Sequence, residues 1–155
     1  MSDIIKLPPV KIEKILTTLS QSIGWGVRQL NVPNVWKAST GDGVTIGVID
    51  TGYVTHDDVG DNIIGGKNFI HGEDINDNHG HQTHCVGIIC AKNNDQGMVG
   101  VAPNAKIVCV KGLSDNGSGT ISGIVNSLEY CLQQKVDIVS MSLGGPNINP
   151  QIHAA

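Results

Sequence analysis

The chain has 155 residues, a formal net charge of -4, and 39% hydrophobic against 15% charged residues. That length holds one domain with a buried core. The acidic balance, with lysines and arginines scattered, argues against nucleic acid as a partner, since that needs a basic patch.

No apolar run approaches the ~20 residues of a membrane span, so no membrane partner is expected. Met1–Lys6 lacks the basic and apolar regions of a secretory signal. Cys85, Cys90, Cys109 and Cys131 show no CxxC spacing and fall inside predicted helices and strands. Buried free thiols in a reducing compartment are the expectation, and cytoplasm is the matching location.

In chain order, Leu7-Pro8-Pro9-Val10 must be extended, because each proline fixes its own φ and restricts its predecessor. Lys11–Leu19 places Ile12, Ile15, Leu16 and Leu19 on one helical face. Residues 1–19 read as an arm on a domain that covers 20–155, or as a disordered terminus. Asn34–Ser39 predicts a short helix after Pro33, and Thr40-Gly41-Asp42-Gly43 a turn. Val44–Ile49 is β-branched and continuous, the pattern of a strand buried on both faces. Such strands form parallel sheets and gather ligands at their carboxyl ends. Asp50 sits at that end, where a carboxylate needs a partner.

A second strand is predicted at Ile63–Phe69, a polar loop over 71–80, and a helix from His81 to about Ala91. Gly100–Pro103 is a turn, Lys106–Lys111 a third strand, and Ser114–Gly119 a loop. Ile121–Gln134 is an amphipathic helix, with Ile121, Ile124, Val125, Leu128 and Leu132 at helical spacing. Val136–Met141 is a fourth buried strand, and Asn147–Ala155 looks like the start of another helix. The alternation predicts an α/β fold: a doubly wound, mostly parallel sheet with helices on both faces, and one that is incomplete.

The densest chemistry lies in Asn78–Gly87, where His79, His81 and His84 fall within six residues. From the residues alone two readings stand. One histidine is a general base oriented by Asp50, or His79, His81 and His84, with Cys85, hold a metal. A structural zinc site needs four convergent ligands, and these spacings do not match the usual pairs.

Four segments now carry a resemblance. Val48-Ile49-Asp50-Thr51-Gly52, His81-Gln82-Thr83-His84-Cys85-Val86-Gly87, Gly100-Val101-Ala102-Pro103 and Ser140-Met141-Ser142-Leu143-Gly144-Gly145-Pro146 resemble, in that order, the subtilisin-like serine proteases (subtilases). The resemblance implies peptide-bond hydrolysis by an Asp-His-Ser triad, with Asp50 orienting His81 and His81 as the base. His84 is then a packed or hydrogen-bonded histidine, and His79 faces solvent. Gln82 stands where the family has glycine, so its side chain is expected to crowd the site or contact substrate. Gly117-Ser118-Gly119 resembles the strand that pairs with substrate backbone. Ser142-Leu143-Gly144 resembles the opposing strand, one wall of the pocket for the side chain before the scissile bond.

The resemblance also implies a calcium site. Its ligands would be the Asn94 side chain, the backbone oxygens of Lys92, Gln96 and Met98, the Asp58 carboxylate and Gln21, an oxygen set that suits Ca²⁺. The mature start then falls near Ser20, and residues 1–19 look like a short pro-segment. Leu7-Pro8-Pro9-Val10 stands for the Leu-Ile-Pro-Tyr/Phe motif of the intracellular subtilisins, whose extension lies across the active site and resists cleavage. No Gly-Thr-Ser-Met/Ala nucleophile segment and no Ala-Gly-Asn oxyanion segment occurs in the sequence. The expected function is the N-terminal part of a calcium-stabilised intracellular serine endopeptidase, inactive alone. Its partners would be a peptide or protein substrate and a second chain or C-terminal half carrying the serine. The alternative is a natural half-subtilase that binds a peptide or partner.

Overall fold

The computed structural model describes residues 4–8, 20–145 and 150–155; Pro9, Val10, the helix expected over Lys11–Leu19 and residues 146–149 lie outside the described residues. In chain order the elements are β1 (Ile4–Lys6), β2 (Ser22–Ile23), α1 (Trp25–Gln29), α2 (Val32–Val35), β3 (Thr45–Asp50), β4 (Ile63–Asn68), α3 (His81–Cys90), β5 (Met98–Val99), β6 (Lys106–Lys111), β7 (Ser118–Thr120), α4 (Ile121–Gln133), β8 (Ile138–Ser140) and α5 (Pro150–Ala154).

The main sheet has the order β4-β6-β3-β8, and every neighbour is parallel. A pleated strand turns successive residues to opposite faces. Ile46 and Val48 of β3, with Ile107 and Cys109 of β6, therefore pack with Val86 and Cys90 of α3. Ile49, Val108 and Val110 pack on the other face with Ile124 and Cys131 of α4. A helix thus covers each face of the parallel sheet, as the strand–helix alternation predicts. The same parity puts Asp50, two residues past Val48, on the α3 face, in register with Lys111.

Three elements differ from the sequence reading. The helix expected at Asn34–Ser39 lies at Val32–Val35 instead. Asn31, at φ 58°, starts it, and Pro33 occupies the first turn, where a missing N–H costs little. The fourth strand is shorter than Val136–Met141 and, among the described residues, pairs on one side only, with β3, leaving Ile138 52% and Val139 36% exposed. Asp137 precedes it, its carboxylate accepting the Thr45 N–H while its own N–H donates to the Thr45 carbonyl (2.8 and 2.9 Å). The loop expected at Ser114–Gly119 runs into β7, which finds its partner in the distant β1.

All four cysteines are free. Burial pushes the thiols of Cys90 and Cys131 up to about 11 and that of Cys109 up to about 12. Among the described residues no helix is long and apolar enough to cross a membrane.

Candidate active site

β3 delivers Asp50 fully buried, and α3 begins beside it at His81. The start of α3 is fixed by Asp77. Its carboxylate accepts the N–H groups of Thr83 (2.7 Å) and Gly80 (2.9 Å) and the hydroxyls of Thr83 (2.7 Å) and Thr51 (2.6 Å). A carboxylate at a helix N-terminus satisfies otherwise orphaned donors. Burial pushes the Asp77 pKa up, but the bonds from Thr51, Thr83 and Gly80 outweigh it and hold the carboxyl below its ordinary value. The Thr51 hydroxyl also accepts the Gln82 N–H (3.1 Å), so the end of β3 and the start of α3 are tied together. Gly52, at φ 156°, permits the close approach: a Cβ there would stand 2.4 Å from the Asn76 carbonyl oxygen.

His81 Nδ1 lies 2.8 Å from each Asp50 carboxylate oxygen. An ionised carboxylate only accepts, so Nδ1 carries the proton and Nε2 presents its lone pair. The Asp50 side chain is wholly buried, while that of His81 keeps 11% exposure. Burial raises the Asp50 pKa, opposed by the hydrogen bond and charge of His81 and by the Thr51 N–H. Such a pair can take a proton from a hydroxyl brought to Nε2.

The other histidines stand apart. His84, expected to be packed or hydrogen-bonded, is exposed on α3. His79 is exposed, its ring edge-on to that of His81 at 6.2 Å between centroids. Among the described residues, the group close enough to share a metal is Asp50, His81 and Cys85, not the three histidines. Cys85 Sγ lies 3.8 and 3.9 Å from the two ring nitrogens of His81. Near-equal distances put the sulfur over the ring face, because in the ring plane it would collide with Cε1. It is off the Nε2 lone pair, and burial raises its pKa. Cys85 is therefore not placed as a nucleophile for His81.

Gln82 corrects the expectation of a crowded site. Its side chain is fully buried beneath the pair. Oε1 accepts the Gly52 N–H (2.8 Å) and Nε2 donates to the Val48 carbonyl (3.1 Å). Lys111, which the sequence reading passed over, is also fully buried. Its ammonium donates to the carbonyls of Thr51 (2.6 Å) and Asn76 (3.2 Å) and to Asp115 (2.6 Å), with Glu73 at 3.4 Å. A lysine closing an apolar strand was the signal available for it.

The expected substrate segments are brought together by the chain's own N-terminal strand. β1 lies antiparallel on β7, with Ile4 opposite Thr120, Ile5 opposite Gly119 and Lys6 opposite Ser118. Leu7 N–H donates to the Gly117 carbonyl (3.0 Å). On the other side Lys6 N–H donates to the Gly144 carbonyl (3.0 Å), and Gly144 N–H donates back to Lys6 (3.2 Å). Ser142, Leu143 and Gly144 line a depression with Leu7 and Pro8. Ile5, at 5% exposure, packs into the same core as Leu143 and Leu113.

The proposed cation ligands also come together, around the loop that follows the C-terminal end of α3. Gln21 Nε2 donates to the carbonyls of Lys92 (2.6 Å), Gln96 (3.2 Å) and Met98 (3.4 Å). Asp58 Oδ2 accepts the Met98 N–H (3.1 Å), while Asp58 Oδ1 is buried without a hydrogen-bond partner. An orphaned buried carboxylate oxygen is costly unless a cation meets it. A Cβ on Gly97 would stand 2.5 Å from Asp58 Oδ2, so the loop needs glycine to fold this close. Asn94 Oδ1 accepts the Gln96 N–H (3.2 Å) and braces the same loop. Turning the Gln21 amide exchanges its N and O and makes the set all-oxygen, the chemistry that suits Ca²⁺.

Comparison with known sequences identifies the family. The profile of the Subtilase family matches residues 41–154. The "Intracellular serine protease" of Paenibacillus polymyxa is 43% identical over 136 residues, covering 84% of this chain and 42% of that protein. The "Major intracellular serine protease" of Bacillus subtilis (strain 168) is 40% identical over 157 residues, 96% of this chain and 49% of that protein. "Subtilisin Savinase" of Lederbergia lenta is 39% identical over 138 residues, 88% of this chain and 51% of that protein. The chain thus spans about half the length of the curated relatives it matches. The matched stretch holds the strand that ends in Asp50, the helix that begins at His81 and the parallel sheet beneath them, and by that match the chain belongs to the subtilase family.

Proposed function

We propose that this chain is the N-terminal part of a calcium-stabilised serine endopeptidase in which Asp50 orients His81 and His81 is the general base. The observation that carries this reading is the pair of 2.8 Å contacts from one ring nitrogen to both oxygens of a buried carboxylate. In the proposed reaction Nε2 takes the proton of a serine hydroxyl as its oxygen attacks the scissile carbonyl carbon. Asp50 stabilises the imidazolium, which then gives the proton to the departing amine. The serine and the oxyanion donor are assigned to a C-terminal half or a second chain, because neither motif occurs in the sequence.

The substrate peptide would lie extended between Gly117-Ser118-Gly119 and Ser142-Leu143-Gly144. Support comes from residues 4–7, which already make ladder bonds to both sides. Residues 1–19 are then an inhibitory pro-segment. Gln21, Asp58, Lys92, Asn94, Gln96 and Met98 would hold Ca²⁺, which would meet the buried, unpartnered oxygen of Asp58. A reducing, cytoplasmic location is supported by four free thiols and by the two relatives named as intracellular serine proteases.

The test is hydrolysis of a fluorogenic peptide by the product of the gene read beyond Ala155. Activity is expected, with His81→Ala lowering kcat by roughly 10⁴-fold or more. Undiminished activity in His81→Ala would sink the assignment. Binding of the peptide without any turnover would favour the peptide-binding alternative.

A further inference from the structure

We infer that Gln82 is a positioning residue for the Asp50–His81 pair, a role that rests on reading the pair as orienting acid and base. Its side chain has no exposure and does not reach the cleft. Its amide bonds to two backbone groups of one strand end, the Val48 carbonyl and the Gly52 N–H. These lie two residues before and two residues after Asp50. One planar amide therefore spans the stretch of backbone that carries the carboxylate. The amide belongs to the residue after His81, so the base and the clamp share a peptide unit at the start of α3.

The physical consequence follows from burial. His81 meets Asp50 through Nδ1 alone, and its two 2.8 Å contacts are set by the spacing of β3 and α3. The Gln82 main chain fixes that spacing once, by its N–H to the Thr51 hydroxyl. The side chain fixes it twice more, at atoms water cannot reach to substitute for either bond. A glycine here, as in the subtilase pattern, would keep only the main-chain bond. This chain adds two side-chain hydrogen bonds to the one main-chain bond that a glycine would keep.

The test is the proton on His81 Nδ1, observed by NMR as a resonance far downfield of the amide envelope in the 155-residue chain. Three variants are compared. Gln82→Met keeps the volume and removes both side-chain bonds. Gln82→Glu, when its buried acid is protonated, can still accept from Gly52 and donate to Val48. Asn62→Ala is a control, because Asn62 is another buried amide clamp, on the carbonyls of Cys90 and Pro103, away from the pair.

The resonance should vanish into exchange in Gln82→Met and stay in Asn62→Ala, although both lower Tm. In Gln82→Glu it should persist at low pH and fade as the new carboxyl ionises. A folded Gln82→Met with an unchanged resonance overturns the inference, as does a wild-type chain without one. Should Gln82→Met fail to fold, the Gln82→Glu series decides, and a resonance indifferent to pH overturns the inference. In an active longer protein, Gln82→Met should lower kcat by roughly ten- to a hundredfold with KM unchanged. If that protein hydrolyses nothing while the resonance still responds to Gln82, the protease reading fails and the clamp stands.

Discussion

Lys111 Nζ donates to the Thr51 carbonyl across 2.6 Å, so a fully buried ammonium is bonded to the backbone one residue beyond Asp50. The same ammonium gathers Asn76 and Asp115, from the loop before α3 and the loop after β6. Lys111→Met should destabilise the chain by about 2–4 kcal/mol, because buried carbonyls lose their donor while Asp115 turns to water. Urea unfolding followed by circular dichroism measures it. A change within ~0.5 kcal/mol would show that the ammonium is not a structural tie.

Asp77 gives the pH dependence a sign. Its folded pKa lies below the unfolded value, so its contribution is complete above the unfolded pKa. It is lost as pH falls through the folded pKa. Asp77→Ala should cost about 1–2 kcal/mol at pH 7, the scale of a helix cap. The gap between wild type and variant should close as the medium is acidified. A gap of the same size at pH 7 and at strongly acid pH would assign the loss to packing, not to the carboxylate.

The orphaned oxygen of Asp58 predicts effects of opposite sign with and without calcium. Asp58→Asn should raise Tm in EDTA, since it removes the charge of a half-buried carboxylate that has one oxygen buried without a partner. It should lower Tm relative to wild type in millimolar calcium, because a proposed ligand is lost. For wild type, free calcium at a hundred times Kd adds about 2.7 kcal/mol. Melting curves that do not move with calcium would remove the proposed cation.

Thiol titration separates the cysteines. At pH 8, Cys90, Cys109 and Cys131 are buried, with pKa values of about 11, 12 and 11, so none offers thiolate to a disulfide reagent. Half-buried Cys85 should react slowly, and all four should react at once in urea. More than one reactive thiol in the native chain would contradict the packing described.

The parts of the site legible in sequence are those set by local pattern. The strand that ends in Asp50 and the helix that opens at His81 could be found because both boundaries are written in neighbouring residues, but it was the resemblance to the subtilases that singled out His81 among three histidines. Gln82 was visible as a departure, but not the direction of its side chain, which depends on backbone groups thirty or more residues away. The pairing of β1 with β7 was illegible as a register for the same reason: three polar or glycine residues carry no strand signal until a partner supplies the ladder. The strand at Val136–Met141 read as buried because its residues are apolar; one dimension does not show that, among the described residues, it has a sheet neighbour on one side.

The antiparallel seat of β1 makes the groove a directional ruler. Ile5 turns inward at 5% exposure, whereas Ile4 beside it is 47% exposed and Lys6 is also exposed. In this seat β1 turns alternate side chains to the groove and runs in one direction only. A retro-sequence peptide would carry the same side chains but offer carbonyls where Gly117 and Gly144 call for N–H groups. Composition alone therefore does not decide what fits; polarity and phase do.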